Sequence, residues 1–225
     1  MTEIRERAKK ILEAEAAAIQ AVQLSSAFDE AIRAIEACRG KVIVTGMGKA
    51  GFTAQRFAAV LCSTGTPAVF VHPGEAAHGD LGVIGQEDCL FAFSTSGKTR
   101  EVVEMVELSR HLGPHKVIAI TSHPESELRL VSDLIIDMGL IAEPCPLGLT
   151  PTASIAVMSA IADALALIVM ERRNFSRKDY GLRHHGGYLG AKARLDKTSR
   201  RRLHERSAPG ASRHCAATQN SVAID

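Results

Sequence analysis

The chain has 225 residues, 46% of them hydrophobic and 23% charged, which suits one domain with appendages and a sizeable buried core. Aromatic residues are only 4%, with seven Phe, two Tyr and no Trp, which argues against stacking platforms for single-stranded nucleic acid or a ring-lined sugar cleft. A net charge of +2 is too small to steer the chain onto DNA or an anionic membrane, so neither is an expected partner.

From the N-terminus to about Cys38 the pattern predicts two helices, with Ile4, Ala8, Ile11, Leu12 and Ile19 near one face. From Lys41, short apolar runs alternate with helical stretches. The runs are KVIVTG (41–46), AVFVH (68–72), CLFAFS (89–94), KVIAIT (116–121) and DLIID (133–137). Each is continuously apolar, as in a parallel strand covered on both faces. The segments 49–63, 75–83, 98–111 and 125–131 have helical length. The expected fold class is therefore α/β: a five-stranded, parallel, doubly wound sheet flanked by helices, with right-handed crossovers.

Thr150 and Pro151 read as the cap and first residue of a long helix running to about Arg173. Within it, Ala153–Met170 reaches membrane-spanning length. Asp163 in its middle, with Ser154 and Ser159, favours a helix buried in a soluble core. A short helix near 176–182 leads into the Gly-rich RHHGGYLG (183–190). Residues 195–225 lose periodicity and carry six basic and three acidic side chains, against 21 and 22 in residues 1–194. The positive excess thus belongs to a segment that reads as a basic, disordered tail.

The five cysteines, Cys38, Cys62, Cys89, Cys145 and Cys215, are widely spaced and form no CxxC pair. That fits a reduced, cytoplasmic protein, and the charged opening MTEIRERAKK does not read as a signal peptide. Most cysteines sit in apolar runs as small core residues; Cys145, in a loop, stands apart.

Open parallel sheets bind ligands at the carboxyl ends of strands, where the strand order reverses. Two loops leave strand ends with chemistry suited to phosphate. The first, Gly46-Met47-Gly48-Lys49-Ala50-Gly51, opens a helix with glycines that let backbone approach an anion. It is neither a dinucleotide fingerprint nor a P-loop, and a simple tight turn accounts for it about as well. The second, Ser94-Thr95-Ser96-Gly97-Lys98-Thr99, offers hydroxyls, a glycine and a helix N-terminus, a nest for a phosphate monoester without a metal. A capping segment rich in Ser and Thr is the plain alternative. If the sheet order is 2-1-3-4-5, the two loops face each other and imply a small phosphorylated ligand. A third cluster, His72 to Gly82, holds His72, Glu75, His78 and Asp80. Without other Cys or His at ligand spacing, acid–base chemistry is the better reading than metal binding, and no metal is expected.

VTGMGKAG, STGTPAVFVHPGEAAHGDLG, FSTSGKTREV, CPLGLTPTAS, DALA and HHGGYLG occur in this order and cover the body of the chain. Together they resemble the sugar isomerase (SIS) domain, closest to its arabinose-5-phosphate isomerase branch. The resemblance implies a flavodoxin-like sheet in residues 41–194, N-terminal helices 1–40 packed on it, and homotetramers with active sites at subunit junctions. It implies reversible aldose–ketose isomerisation, ribulose 5-phosphate to arabinose 5-phosphate, with no redox cofactor, feeding synthesis of the eight-carbon acid of lipopolysaccharide. By position it assigns Lys49, His78, Glu101 and His184 to catalysis. Ser94, Ser96 and Thr99, with Thr95 beside them, would hold phosphate, and Gly46, Gly48, His72 and Glu75 would complete the substrate site.

Isomerisation through an enediolate needs a base, a proton shuttle between two oxygens and an oxyanion stabiliser. Glu101 tuned by burial, His78 or His184, and Lys49 have the chemistry for these roles. Their plain alternatives are a first-turn acid, a loop residue and a surface cation. The chain departs from the family at Ala50, where Ser is common, at Lys98, where Glu is common, and at His185, where Pro is common. Many relatives continue into a pair of cystathionine-β-synthase-type modules, which the last 31 residues are too short to form. Two other readings compete: a phosphosugar-sensing SIS module without turnover, and an isomerase of another ketose phosphate. A nucleotide-binding regulator is disfavoured by the missing fingerprint.

Overall fold

The computed structural model describes residues 2–194; the expected tail, 195–225, lies outside them. Five parallel strands form one sheet: β1 (Val42–Gly46), β2 (Ala68–Phe70), β3 (Cys89–Phe93), β4 (Lys116–Thr121) and β5 (Leu134–Asp137). Their order is β2-β1-β3-β4-β5. In this register Gly46 lies opposite Phe93, so the loops after β1 and β3 leave the sheet side by side.

The continuous apolar runs are explained by two cores. Successive strand residues point to opposite faces. Val42, Val44, Phe91, Phe93, Ile118 and Ile120 face one core, with α2 (Ser26–Ala37), α3 (Gly48–Ser63) and α7 (Ala153–Arg172). Ile43, Leu90, Ala92, Val117 and Ala119 face the other, with α4 (Pro73–Ala76), α5 (Arg100–Ser109) and α6 (Glu127–Leu130). At the centre of the first core the fully buried Phe57 meets Phe91 and Phe93 with ring centroids 5.5 and 5.7 Å apart. At the opposite end of the sheet from the two loops, the buried Asp88 accepts from the Lys41 and Gly85 backbone N–H groups and from Lys41 Nζ, each at 2.8 Å.

α7 is the one helix among the described residues long and apolar enough to cross a membrane, yet half of the stretch is buried. Its face from Val157 to Val169 packs in the core. Asp163, in the middle of the run, is held bidentately by Arg56 of α3 at 2.7 and 2.9 Å. The long first helix, α1 (Thr2–Gln20), packs on α7 but buries no residue fully, and Ile4 and Leu12 remain exposed.

Several boundaries differ from the sequence pattern. The helix expected over 75–83 is broken into α4 and a 3-10 turn, Asp80–Val83, because Gly79 between them has φ +121°. The helix expected over 98–111 is shorter: α5 ends in a 3-10 turn at Arg110–Leu112. The long helix starts at Ala153 with Thr152 as cap residue, not at Thr150 and Pro151. The backbone there is held by an acid from a distant loop, Glu143, rather than by the adjacent threonine side chain. After α8 (Arg177–Arg183) a further helix, α9 (Gly187–Arg194), forms where the glycines suggested only a loop.

Candidate functional site

The Ser94–Thr99 loop is built to hold its shape. Ser94 Oγ accepts from Gly97 N–H at 3.1 Å and lies 3.1 Å from Thr99 Oγ1; Ser96 Oγ accepts from Lys98 N–H at 3.2 Å. Gly97, with φ +62°, lets the chain turn where a Cβ would overlap Ser126 and lie 2.8 Å from Thr121 Oγ1. The neighbouring β4 end braces the loop from below: Ser122 N–H and Thr121 Oγ1 both donate to Thr95 C=O, at 3.0 and 3.3 Å. Thr95, Ser96 and Thr99 keep backbone N–H groups without an acceptor among the described residues. Fixed hydroxyls, open N–H groups and the start of α5 make a receptor for an anion.

The first loop faces it. Met47 caps α3, and Gly48 turns the chain at φ +58°. Gly46 and Gly51 are packed backbone to backbone, where side chains would not fit. Lys49 and Ala50 therefore sit at the rim of a cavity of about 280 Å³, with Met47, Phe93, the Ser loop, His123, Pro151 and Ile155 as its remaining walls. Lys49 itself is exposed within one chain.

The other predicted groups lie elsewhere. His78 and Glu101 share a second cavity, about 240 Å³, with Arg100 and Glu104 between α4 and α5. Both are exposed, Glu101 in the first turn of α5. The burial that would tune Glu101 as a base is absent within one chain. His72 caps α4, its Nδ1 accepting from Gly74 N–H at 3.2 Å, while Glu75 is an exposed first-turn acid. His184 ends α8, stacked on Tyr180 at 3.8 Å, with Nδ1 3.0 Å from Tyr180 C=O. It lines neither cavity. The structure thus unites Lys49 with Ser94, Thr95, Ser96 and Thr99, and His78 with Glu101, and leaves His184 apart.

Two further groups, His123 and Glu143, escaped the sequence reading, and Cys145, which it set apart, gains a partner set. His123 lines the first cavity from the β4 side. Glu143 turns its carboxylate onto the start of α7, accepting from Thr152, Ala153 and Ser154 N–H at 2.8, 2.8 and 3.1 Å. Burial works to raise its pKa. Ser154, whose hydroxyl approaches outside hydrogen-bond geometry, and the three N–H donors outweigh burial and hold the carboxyl below its usual range. The Cys145 thiol is lowered to about 6 by the Thr150 hydroxyl and by N–H groups of Thr150, Leu149 and Leu147. No motif flags a lone His or Glu in a loop; the CPLGL-x-PT string, in which Cys145 and Thr150 lie, was the nearest signal.

The model of the SIS domain matches residues 35–168. The chain belongs to the SIS domain family. Over this SIS region it is 42% identical across 168 residues to the arabinose 5-phosphate isomerase KdsD of Pseudomonas aeruginosa, which covers 75% of this chain and 51% of that protein. It is 43% identical across 158 residues to KdsD of Escherichia coli K12, 70% of this chain and 48% of that one. The chain spans about half the length of the curated relatives it matches. Among solved structures, a phosphosugar isomerase involved in capsule formation from Bacteroides fragilis superposes with TM-score 0.79 at 43% identity, over 82% of this chain and 99% of that one. An E. coli CFT073 protein in complex with arabinose 5-phosphate superposes with TM-score 0.77 at 35% identity, over 80% and 97%. Within this SIS domain the three departures fall differently: Ala50 lines the Lys49 cavity, while Lys98 and His185 are exposed and do not.

Proposed function

We propose that this SIS domain catalyses reversible aldose–ketose isomerisation of a phosphosugar, D-ribulose 5-phosphate to D-arabinose 5-phosphate, as a cytoplasmic step toward the lipopolysaccharide sugar acid. The observation that carries the proposal is the opening of the braced Ser94–Thr99 loop and Lys49 onto one cavity at the β1–β3 switch point. The named activity of the KdsD relatives and the arabinose 5-phosphate complex of a related fold support the choice of sugar.

In this reading the phosphate docks on the Ser94, Ser96 and Thr99 hydroxyls and the open N–H groups, with Gly46 and Gly48 shaping the facing loop. A base removes a proton from C1 of the ketose, leaving an enediolate. A proton passes from O1 to O2, and the acid returns one to C2, giving the aldose. Lys49 stabilises the developing oxyanion. Glu101 is the base, and His78 and His184 move protons between oxygens and open the ring. Glu101 and His78 line a separate cavity from Lys49, and His184 lines neither. A homotetramer with sites at subunit junctions would bring a second copy's groups to each cavity and supply the burial that one chain lacks.

The test is incubation with ribulose 5-phosphate in heavy water, followed by NMR. Arabinose 5-phosphate carrying deuterium at C2 is expected. Binding without exchange or conversion would replace the proposal with a sensing module, and full rates in both Glu101→Gln and His78→Ala would overturn the assigned roles.

A further inference from the structure

Of the imidazoles assigned by the resemblance, two are already engaged. His72 uses its ring as a helix cap, and His184 uses Nδ1 on Tyr180. His123 is different. Its ring bonds no described residue, and it lines the same cavity as Lys49 and the Ser loop. Its backbone is held on three sides. Ser122 N–H is tied to Thr95 C=O at 3.0 Å. Arg129, a mostly buried cation, donates from Nε to His123 C=O at 2.6 Å and from Nη2 to Ser122 C=O at 3.4 Å. Arg129 is itself fixed by Asp137 at the end of β5, 2.8 Å away. Pro124 follows and restricts the His123 backbone to extended conformations. A free imidazole on so restrained a loop, one strand over from an anion receptor, is positioned to meet a ligand.

We propose that His123 is a phosphate-binding residue, gripping the phosphate of the sugar from the β4 side while Lys49 faces it from the β1 side. This rests on the phosphosugar reading above. Imidazole titrates near pH 6.5 and a phosphate monoester loses its second proton near about pH 6. Between those values and neutrality an imidazolium and a dianion raise each other's charged population. The charged groups around the ring are few. Lys49 shares the cavity, and Arg129 and Asp137 neutralise each other behind the loop. Lys98, Glu125 and Glu127, all exposed, meet at a separate hollow beside Pro124.

The experiment titrates inorganic phosphate into wild type, His123→Ala and His123→Arg by calorimetry at about pH 6.5 and about pH 8.5, with the His123 imidazole signal followed by NMR. Near pH 6.5 His123→Ala should bind phosphate about three- to tenfold more weakly, the range for one partly exposed charge-assisted bond. Near pH 8.5 it should match wild type, while His123→Arg, permanently charged, stays tight. Phosphate should shift the imidazole signal. Equal affinity of wild type and His123→Ala near pH 6.5, or an imidazole signal indifferent to phosphate, overturns the proposal. His123-dependent phosphate binding without isomerisation sinks the enzyme reading and leaves this one standing. Isomerisation with an unchanged KM in His123→Ala does the reverse.

Discussion

Replacing Gly97 with Ala strikes the phosphate loop at its tightest point. The residue sits at φ +62°, and an added Cβ would overlap Ser126, 2.7 Å from its Cβ, and lie 2.8 Å from Thr121 Oγ1. The left-handed conformation costs an Ala about 1–2 kcal/mol, and forcing atoms into an occupied space costs about 1–3 kcal/mol. A loss of about 3 kcal/mol is expected, which for a domain of this size lowers Tm by about 6–12 °C. The loop cannot move without disturbing Leu128 N–H on Gly97 C=O and Ser122 N–H on Thr95 C=O, so phosphosugar KM should rise as well. The companion change is Ser126→Gly, which removes both Ser126 atoms in the way. Ser126 Oγ has no hydrogen-bond partner among the described residues, so this change alone should cost only a few tenths of a kcal/mol. In the double variant about 1–2 kcal/mol should return, measured as the coupling in a double-mutant cycle by chemical and thermal unfolding. A Gly97→Ala protein with wild-type Tm, or a double variant that regains nothing, would refute the steric argument.

Other consequences are as direct. Burial works to raise the Asp88 carboxyl, but the Lys41 ammonium and the Lys41 and Gly85 N–H groups outweigh it and depress its pKa. Its stabilisation is present above the unfolded value of about 3.9 and lost as pH falls through the lower folded value. Asp88→Asn should cost about 2 kcal/mol at neutral pH and flatten the acid limb of an unfolding titration; an unaltered limb would rule this out. Cys145, with its thiol near 6, should be alkylated by iodoacetamide ahead of Cys38 and Cys89 at mildly acid pH, and Thr150→Val should shift that reactivity toward higher pH. Peptide mass mapping that finds Cys89 modified first would contradict the assignment. Phe57→Ala, emptying the junction with Phe91 and Phe93, should destabilise by about 3–5 kcal/mol in urea unfolding, and a loss under about 1 kcal/mol would show that the core refills.

The sheet was readable because each strand is covered on both faces, so its apolar run is unbroken and unambiguous. The switch point followed from order alone, and with it the pairing of the Lys49 and Ser94–Thr99 loops. What sequence reading lacked were facts of distance. Gly79 breaks a helix through a φ that residue identity permits but does not require. Glu143 and Thr152 are nine residues apart, so the capping of α7 is invisible to a rule that looks at the adjacent residue. The helix α9 forms despite its glycines because Gly190 packs directly against the His184 backbone and Arg194 ties back to His184 C=O at 2.7 Å. Motif matching marked His78, Glu101 and His184 as site residues, but one chain separates them from Lys49. His123 belongs to no motif, and only the fold places it beside the Ser loop.

On the phosphosugar reading proposed above, the carboxylate of Glu143 at the head of α7 bears on which sugars the cavity would admit. Pro151 and Ile155 of that region wall the same cavity as the Ser loop, so the cavity runs between two helix beginnings. One, at α5, keeps open amides; at the other, α7, an internal acid already occupies them. The cavity therefore has polarity, with a berth for an anion at one end and a negatively charged stopper near the other. A sugar carrying phosphate at both ends would have to seat its second group against that stopper. On that reading, discrimination between mono- and bisphosphates would follow from how a helix is capped.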